Sequence, residues 1–250
     1  MKQVILSGQG VCKRFIKEDT AILDHINIDL YEGDFTVIMG ASGAGKSTLL
    51  YCLSGMDALS DGKVFYRGEE ISRYGEKRMA ALRAKEFGFV FQRTHLVSNL
   101  TLYENILLAG FIGDKSSIEE TRQQAEALIA RMNLAEAKSR LPSAVSGGEA
   151  QRAAIAAAVI AAPSILFADE PTGALNKANT DEVLDLMTSL NSEGQTVLLV
   201  THDQTAALRG NRVLYLEDGA IIGELDMEPY RGIDRAREEK LTGWLTSLRW

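Results

Sequence analysis

The chain has 250 residues, 46% of them apolar, enough to bury roughly 70 to 75% of the unfolded surface in one large domain or two small ones, which excludes a disordered or fibrous protein. Twenty-seven basic residues against 34 acidic ones leave a formal net charge of −7, which opposes broad attraction to nucleic acid or to anionic lipid. The longest purely apolar run, residues 153–162, is mostly alanine and far short of the roughly 20 residues that span a bilayer. The opening MKQVILSGQG is too short in apolar residues for a secretory signal, and Cys12 and Cys52 make no disulfide framework, so a cytoplasmic protein is expected.

In chain order, Ile26, Ile28 and Leu30 alternate before a turn at Glu32 and Gly33, and FTVIMG then runs into a glycine-rich segment. This reads as strand, loop, helix. The segment is GASGAGKS, residues 40–47, which fits the GxxxxGKS phosphate loop in the required context. Gly40, Gly43 and Gly45 allow a tight loop whose amides point inward, with Ser42 and Ala44 among the nucleotide-binding positions and Thr48 in the helix it opens. Lys46 supplies a full positive charge to the β and γ phosphates, and Ser47 offers a hydroxyl to Mg²⁺. A GTPase would carry NKxD, whereas Asn176, Lys177, Ala178 and Asn179 lack the aspartate, so ATP is the expected nucleotide. On the loop alone a small-molecule kinase stays open.

From about residue 76 to 162 the pattern turns helical, with Ile118, Ala125, Leu128, Ile129 and Met132 near helical spacing. Within it, Ser146 and Glu149 form an SxxE capping box opening a helix over 147–162, and Gly147 and Gly148 bare its first amides. A helix start of this kind can hold an anion. ILFADE and TVLLVTHD are continuous apolar runs, expected for strands covered on both faces. The first ends in Asp169 and Glu170, which in extended backbone project to opposite sides. Asp169 suits Mg²⁺ and Glu170 suits the polarising of an attacking water. His202 ends the second, on the same edge if the strands are parallel, within reach of a γ phosphate. RVLYLEDGAIIGEL reads as a hairpin with a type I′ turn at Asp218 and Gly219. In the tail, Leu241, Trp244, Leu245 and Leu248 form one apolar stripe, read as packing onto its own domain, with a partner as the alternative.

The ordered set of Phe15, GASGAGKS, Gln92 in FVFQ, VSGGE at 145–149, ILFADE, GALN and His202 resembles the ATP-binding-cassette ATPases over about residues 1–227. The resemblance implies an α/β phosphate-loop NTPase with a mixed sheet core, an N-terminal antiparallel β subdomain and a helical signature subdomain inserted over about 88–160. Residues 228–250 would be an amphipathic helical tail. It implies that Phe15 stacks on adenine and Gln92 reaches the nucleotide and its metal. Lys46, Glu170 and His202 would carry catalysis. Ser146, Gly147, Gly148 and Glu149 would bind the γ phosphate held by another copy, so that two cassettes close head to tail around two MgATP. Val145, Glu149 and Asn176 stand where leucine, glutamine and aspartate are commonest, and Asn176 removes a charge near the implied dimer seam. Within the family the chain looks like the branch serving lipoprotein release, macrolide efflux and peptide-antibiotic resistance. That implies an integral-membrane permease as partner, a homodimer, a place at the cytoplasmic face of the inner membrane and no nucleic acid. A nucleic-acid-linked cassette would want a basic block, and a regulatory module that seldom hydrolyses ATP would not want both Glu170 and His202.

Overall fold

The computed structural model describes residues 2–14, 21–113, 117–232 and 234–248. The chain divides into two compact units, Met1–Met79 with Asn191–Trp250, and Ala80–Leu190.

The first unit holds an antiparallel sheet of β1 (Val4–Lys13), β2 (Leu23–Tyr31), β4 (Asp61–Tyr66) and β5 (Glu69–Glu70), in the order β2-β1-β4-β5. The alternation of Ile26, Ile28 and Leu30 puts all three in the core, as a side-chain period of two requires. Beside it lie β3 (Phe35–Met39), β8 (Thr196–Val200), β9 (Arg212–Glu217) and β10 (Ala220–Asp226). β3 pairs in parallel with both β8 and β9, while β10 returns antiparallel to β9. Every residue of β3 and β8 is buried, as expected for strands with both faces covered. Asp218 and Gly219 have φ of 45° and 76°, the two positive values that a type I′ turn demands.

Helix α1 (Lys46–Leu53) buries Leu49, Leu50 and Leu53. It comes so close to β1 that a Cβ on Gly8 would lie 2.9 Å from Leu53 Cδ2. Buried Arg212 joins the two sheets: Nε donates to Glu224 at 2.5 Å, Nη1 donates to the Asp29 carbonyl, and the guanidinium lies 5.2 Å from the Tyr31 ring centre. Cys12 and Cys52 are buried free thiols. α7 (Gln204–Ala207) is a single turn, and α8 (Arg235–Ser247) forms the tail. Leu241 and Leu245 are each 1% exposed, and a Cβ on Gly223 of β10 would lie 3.0 Å from both Trp244 and Leu248. The apolar stripe of the tail is thus packed within its own unit.

In the second unit β6 (Phe87–Phe91) pairs in parallel with β7 (Ile165–Asp169). Around them come α2 (Glu76–Glu86), which leads into β6, then α3 (Leu102–Gly113), α4 (Ile118–Arg131), a 3₁₀ turn (Pro142–Ala144), α5 (Gly147–Val159) and α6 (Lys177–Ser192). The stretch read as helical therefore contains a strand. Phe87, Phe89 and Phe91 recur at every second residue, and the rings of Phe87 and Phe89 meet Phe167 of β7 at 5.2 and 5.5 Å. α5 stops at Val159, short of the expected 162. Ala162 has φ of 48° and precedes Pro163, whose ring disfavours helical backbone in the residue before it. On α4, Thr121, Ala125 and Ile129 are buried while Ile118 is 62% exposed, so the stripe begins a turn later than its periodicity suggests. Among the described residues no helix is long and apolar enough to cross a membrane.

One buried cation ties α8 down. Arg237 donates to the carbonyls of Leu208, Glu228 and Gly210 and lies 5.6 Å from the Tyr230 ring centre. Arg237→Ala removes the donor from three carbonyls, of which that of Gly210 is buried, and is expected to lower unfolding stability by about 2 kcal/mol, read from the shift of the urea unfolding midpoint.

Candidate functional site

In the first unit the chemistry gathers at the carboxyl edge of a parallel pair. Ile38 of β3 is in register with Val200 of β8, so two residues further on Gly40 opens the loop and His202 follows the neighbouring strand. Thr201 fixes that segment, donating its amide to the Ile38 carbonyl at 3.1 Å and accepting from the Asp203 amide at 2.9 Å. His202 between them is exposed.

The loop itself is shaped by glycine. Gly43 and Gly45 have φ of 86° and 97°, left-handed backbone that an L side chain rarely adopts. A Cβ on Gly40 would lie 2.2 Å from the Leu216 carbonyl oxygen, so position 40 admits no side chain. Gly45 is the N-cap of α1 and offers no side-chain cap. A helix start that follows glycine in place of a capping side chain is suited to a phosphate. Lys46 is 5% exposed, and its ammonium donates to the carbonyls of Gly40 at 2.9 Å and Ala41 at 2.8 Å. Ser42 and Gly43 are exposed on the loop, while Ala44, Ser47 and Thr48 lie deeper. Phe15 lies outside the described residues.

The second unit repeats the arrangement. Phe91 of β6 is in register with Asp169 of β7, so Gln92 and Glu170 are the next residues off a common edge. Glu170 is not extended as the sequence suggests: its φ is 46°, which turns the chain sharply after Asp169. Such strained backbone clusters at functional positions. The turn is closed by the Gly173 amide donating to the Glu170 carbonyl at 3.1 Å. A Cβ on Gly173 would lie 2.8 Å from Gln92 Nε2, so the Gln92 amide rests on the turn that carries Glu170. Asp169 and Glu170 are both half-buried.

The signature segment is capped as expected. The Ser146 hydroxyl accepts from the Glu149 amide at 3.2 Å, and Glu149 accepts from the Ser146 amide and hydroxyl at 2.7 and 2.8 Å. Those two hydrogen bonds from Ser146 hold the Glu149 carboxyl below the ordinary glutamate range, because they favour the charged form. Gly147 is exposed and Gly148 buried. A Cβ on Gly148 would lie 2.5 Å from Asn179 Oδ1, and one on Gly147 would lie 3.4 Å from Leu175. Asn176 acts locally, where its side chain accepts from the Asn179 amide at 3.0 Å and caps α6, which asparagine does as well as aspartate.

The sequence does not single out Gln151. It is 1% exposed, and its Nε2 donates to the Phe91 carbonyl at 2.9 Å. A signal is present, since 148, 151 and 155 share one helical face in an alanine-rich segment and that face is buried. An amide at such a position needs a partner.

A glycine-shaped loop between a parallel strand and a helix, with a buried lysine and a second parallel strand ending in consecutive carboxylates, defines a phosphate-loop nucleotide-binding cassette. The model of the ABC transporter family matches residues 23–173. The chain is 42% identical to the lipoprotein-releasing system ATP-binding protein LolD of Aquifex aeolicus, over 82% of this chain and 91% of that protein. It is 40% identical to the macrolide export ATP-binding/permease protein MacB of Bradyrhizobium diazoefficiens, over 90% of this chain and 34% of that protein. The chain thus spans about a third of the length of the macrolide-export relatives it matches. A dimeric ATP-binding cassette solved in a post-hydrolysis state with ADP and Pi superposes with a TM-score of 0.83, at 32% identity over 90% of this chain and all of that one. The chain belongs to the ABC transporter family, and its fold is that family's ATPase module.

Because the folded value of Glu149 is depressed, its contribution to stability is full above the ordinary glutamate value of about 4.3 and is lost as pH falls through the folded value. Glu149→Gln keeps an acceptor at the cap but cannot titrate. In urea unfolding at a series of pH values, wild type is expected to lose its margin over Glu149→Gln below about pH 4.

Proposed function

We propose that this chain is the ATP-hydrolysing subunit of a bacterial ABC transporter, closing head to tail with a second copy around two ATP molecules and driving an integral-membrane permease. The observation that carries the reading is the glycine-shaped loop around the buried Lys46 ammonium at the carboxyl edge of β3 and β8. Amides of residues 40–48, with Lys46, hold the β and γ phosphates. Phe15 stacks on the adenine. His202 donates to the γ phosphate from the end of β8, and Glu170 accepts the proton of the attacking water.

Ser47, Gln92 and Asp169 offer a hydroxyl, an amide oxygen and a carboxylate, all hard donors of the kind that suit Mg²⁺ rather than a soft metal. Mg²⁺ bound by them would neutralise charge on the phosphate oxygens. Ser146, Gly147, Gly148 and Glu149 present the start of α5 to the γ phosphate held by the other copy.

The partner is read from the helical unit. Leu108, Phe111 and Ile112, at helical spacing on one face of α3, are exposed at 39, 45 and 66%, apolar side chains of the sort that mark a protein contact. A cytoplasmic segment of the permease covers them and holds the cassette at the inner membrane. The likeness to a lipoprotein-releasing and a macrolide-export protein supports a permease of the lipoprotein, macrolide or antimicrobial-peptide type.

Glu170→Gln removes the proton acceptor and leaves the loop intact. Steady-state phosphate release is expected to fall about 10³-fold, while an ATP-bound dimer accumulates in light scattering. Wild-type turnover by that variant would overturn the role given to Glu170.

A further inference from the structure

The hydrogen bond from Gln151 to the Phe91 carbonyl joins α5 to the strand end that delivers Gln92. We propose that Gln151 is a positioning residue for Gln92, orienting the peptide between Phe91 and Gln92 and making Gln92 answer to the signature helix. The inference rests on the proposed role of Gln92 as a ligand of the metal bound with ATP.

The carbonyl of Phe91 and the amide of Gln92 lie in one rigid plane. Fixing the oxygen of that plane fixes where the Gln92 side chain begins. The strand can supply no further restraint, since its register with β7 ends at Phe91 and Asp169. Beyond that point Gln92 is exposed and is steadied by the Gln151 bond on its N-terminal side and by the close approach to Gly173. Gln151 stands two residues after Glu149 of the capping box, on the face that carries Gly148. α5 is a continuous helix from Gly147 to Val159, so a movement of its phosphate-binding start is carried directly to the Phe91 carbonyl. Gln151 acts through Gln92 and not by touching nucleotide or metal.

The test compares Gln151→Met, which keeps an unbranched side chain of similar length without a donor, and Gln151→His, which restores an N–H at similar reach. Both are measured in the full chain for phosphate release against Mg²⁺ concentration at saturating ATP, for binding of a fluorescent ATP analogue in EDTA, and for thermal unfolding. Gln151→Met is expected to raise the Mg²⁺ concentration for half-maximal activity about tenfold, the size of one lost hydrogen bond. Metal-free nucleotide binding is expected to stay unchanged, and Gln151→His to recover most of the shift. Added to Gln92→Ala, Gln151→Met should produce no further change in Mg²⁺ dependence.

A lower unfolding temperature with unaltered Mg²⁺ dependence in Gln151→Met, while Gln92→Ala does shift it, makes Gln151 a core amide only and overturns the inference alone. Additive shifts in the double variant overturn it too, since Gln151 would then act by another route. No effect of Gln92→Ala on Mg²⁺ dependence overturns the assignment of Gln92 and this inference together.

Discussion

Parallel pairing in register governs where reactive groups can stand in this molecule. In the first unit Ile38 sits beside Val200, and in the second Phe91 sits beside Asp169. Two parallel strands release their chains on the same edge, whereas an antiparallel pair would send one member of each couple to the opposite end. Gly40 and His202 therefore leave one edge together, and Gln92 and Glu170 leave another. The strands have no room for these groups themselves. β3 and β8 are buried along their whole length, and an uncompensated polar group there would cost several kcal/mol. Apolar burial thus concentrates the polar residues where the strands stop.

The features legible in the sequence are those written in short spacings. The phosphate loop, the SxxE box and the turn at Asp218 and Gly219 all depend on residues within a few positions, whose geometry the covalent chain already limits. The apolar runs of β7 and β8 are legible because burial on both faces leaves no polar residue in them. Contacts across long separations are not legible. Gln151 and Phe91 are 60 residues apart, and nothing in GEAQRAAIAAAV names its partner. The strand FGFVF reads as part of a helical region because it lies between two helices, although its aromatic residues alternate. Asn176 reads as a lost charge, whereas its side chain starts α6. The left-handed backbone of Glu170 has no signal at all, since glutamate is not a residue from which a positive φ is expected.

The second unit brings its loops together by omitting side chains. Gly173 makes room for the Gln92 amide and Gly148 for the Asn179 side chain. Contact at such short range lets a displacement of one loop reach the next with little slack, because close-packed groups move together or not at all. Capping boxes at α4 and α5 complete this design, each using a serine and a glutamate to hold the start of a helix. Helix starts secured in this way keep their geometry while their outer amides stay accessible to an anion.

The approach of Gly40 to Leu216 has an evolutionary consequence. The atom that would meet a Cβ at position 40 is a carbonyl oxygen of the main chain, 2.2 Å away. No substitution at position 216 removes it, since every amino acid carries that oxygen. A compensating change elsewhere in the hairpin cannot restore a lost glycine there unless β9 itself is moved from β3, to which it is bonded along four register pairs. Drift can therefore reshape the helical unit and its apolar surface far more freely than this one position, and descendants of this chain can change partners without ever changing that residue.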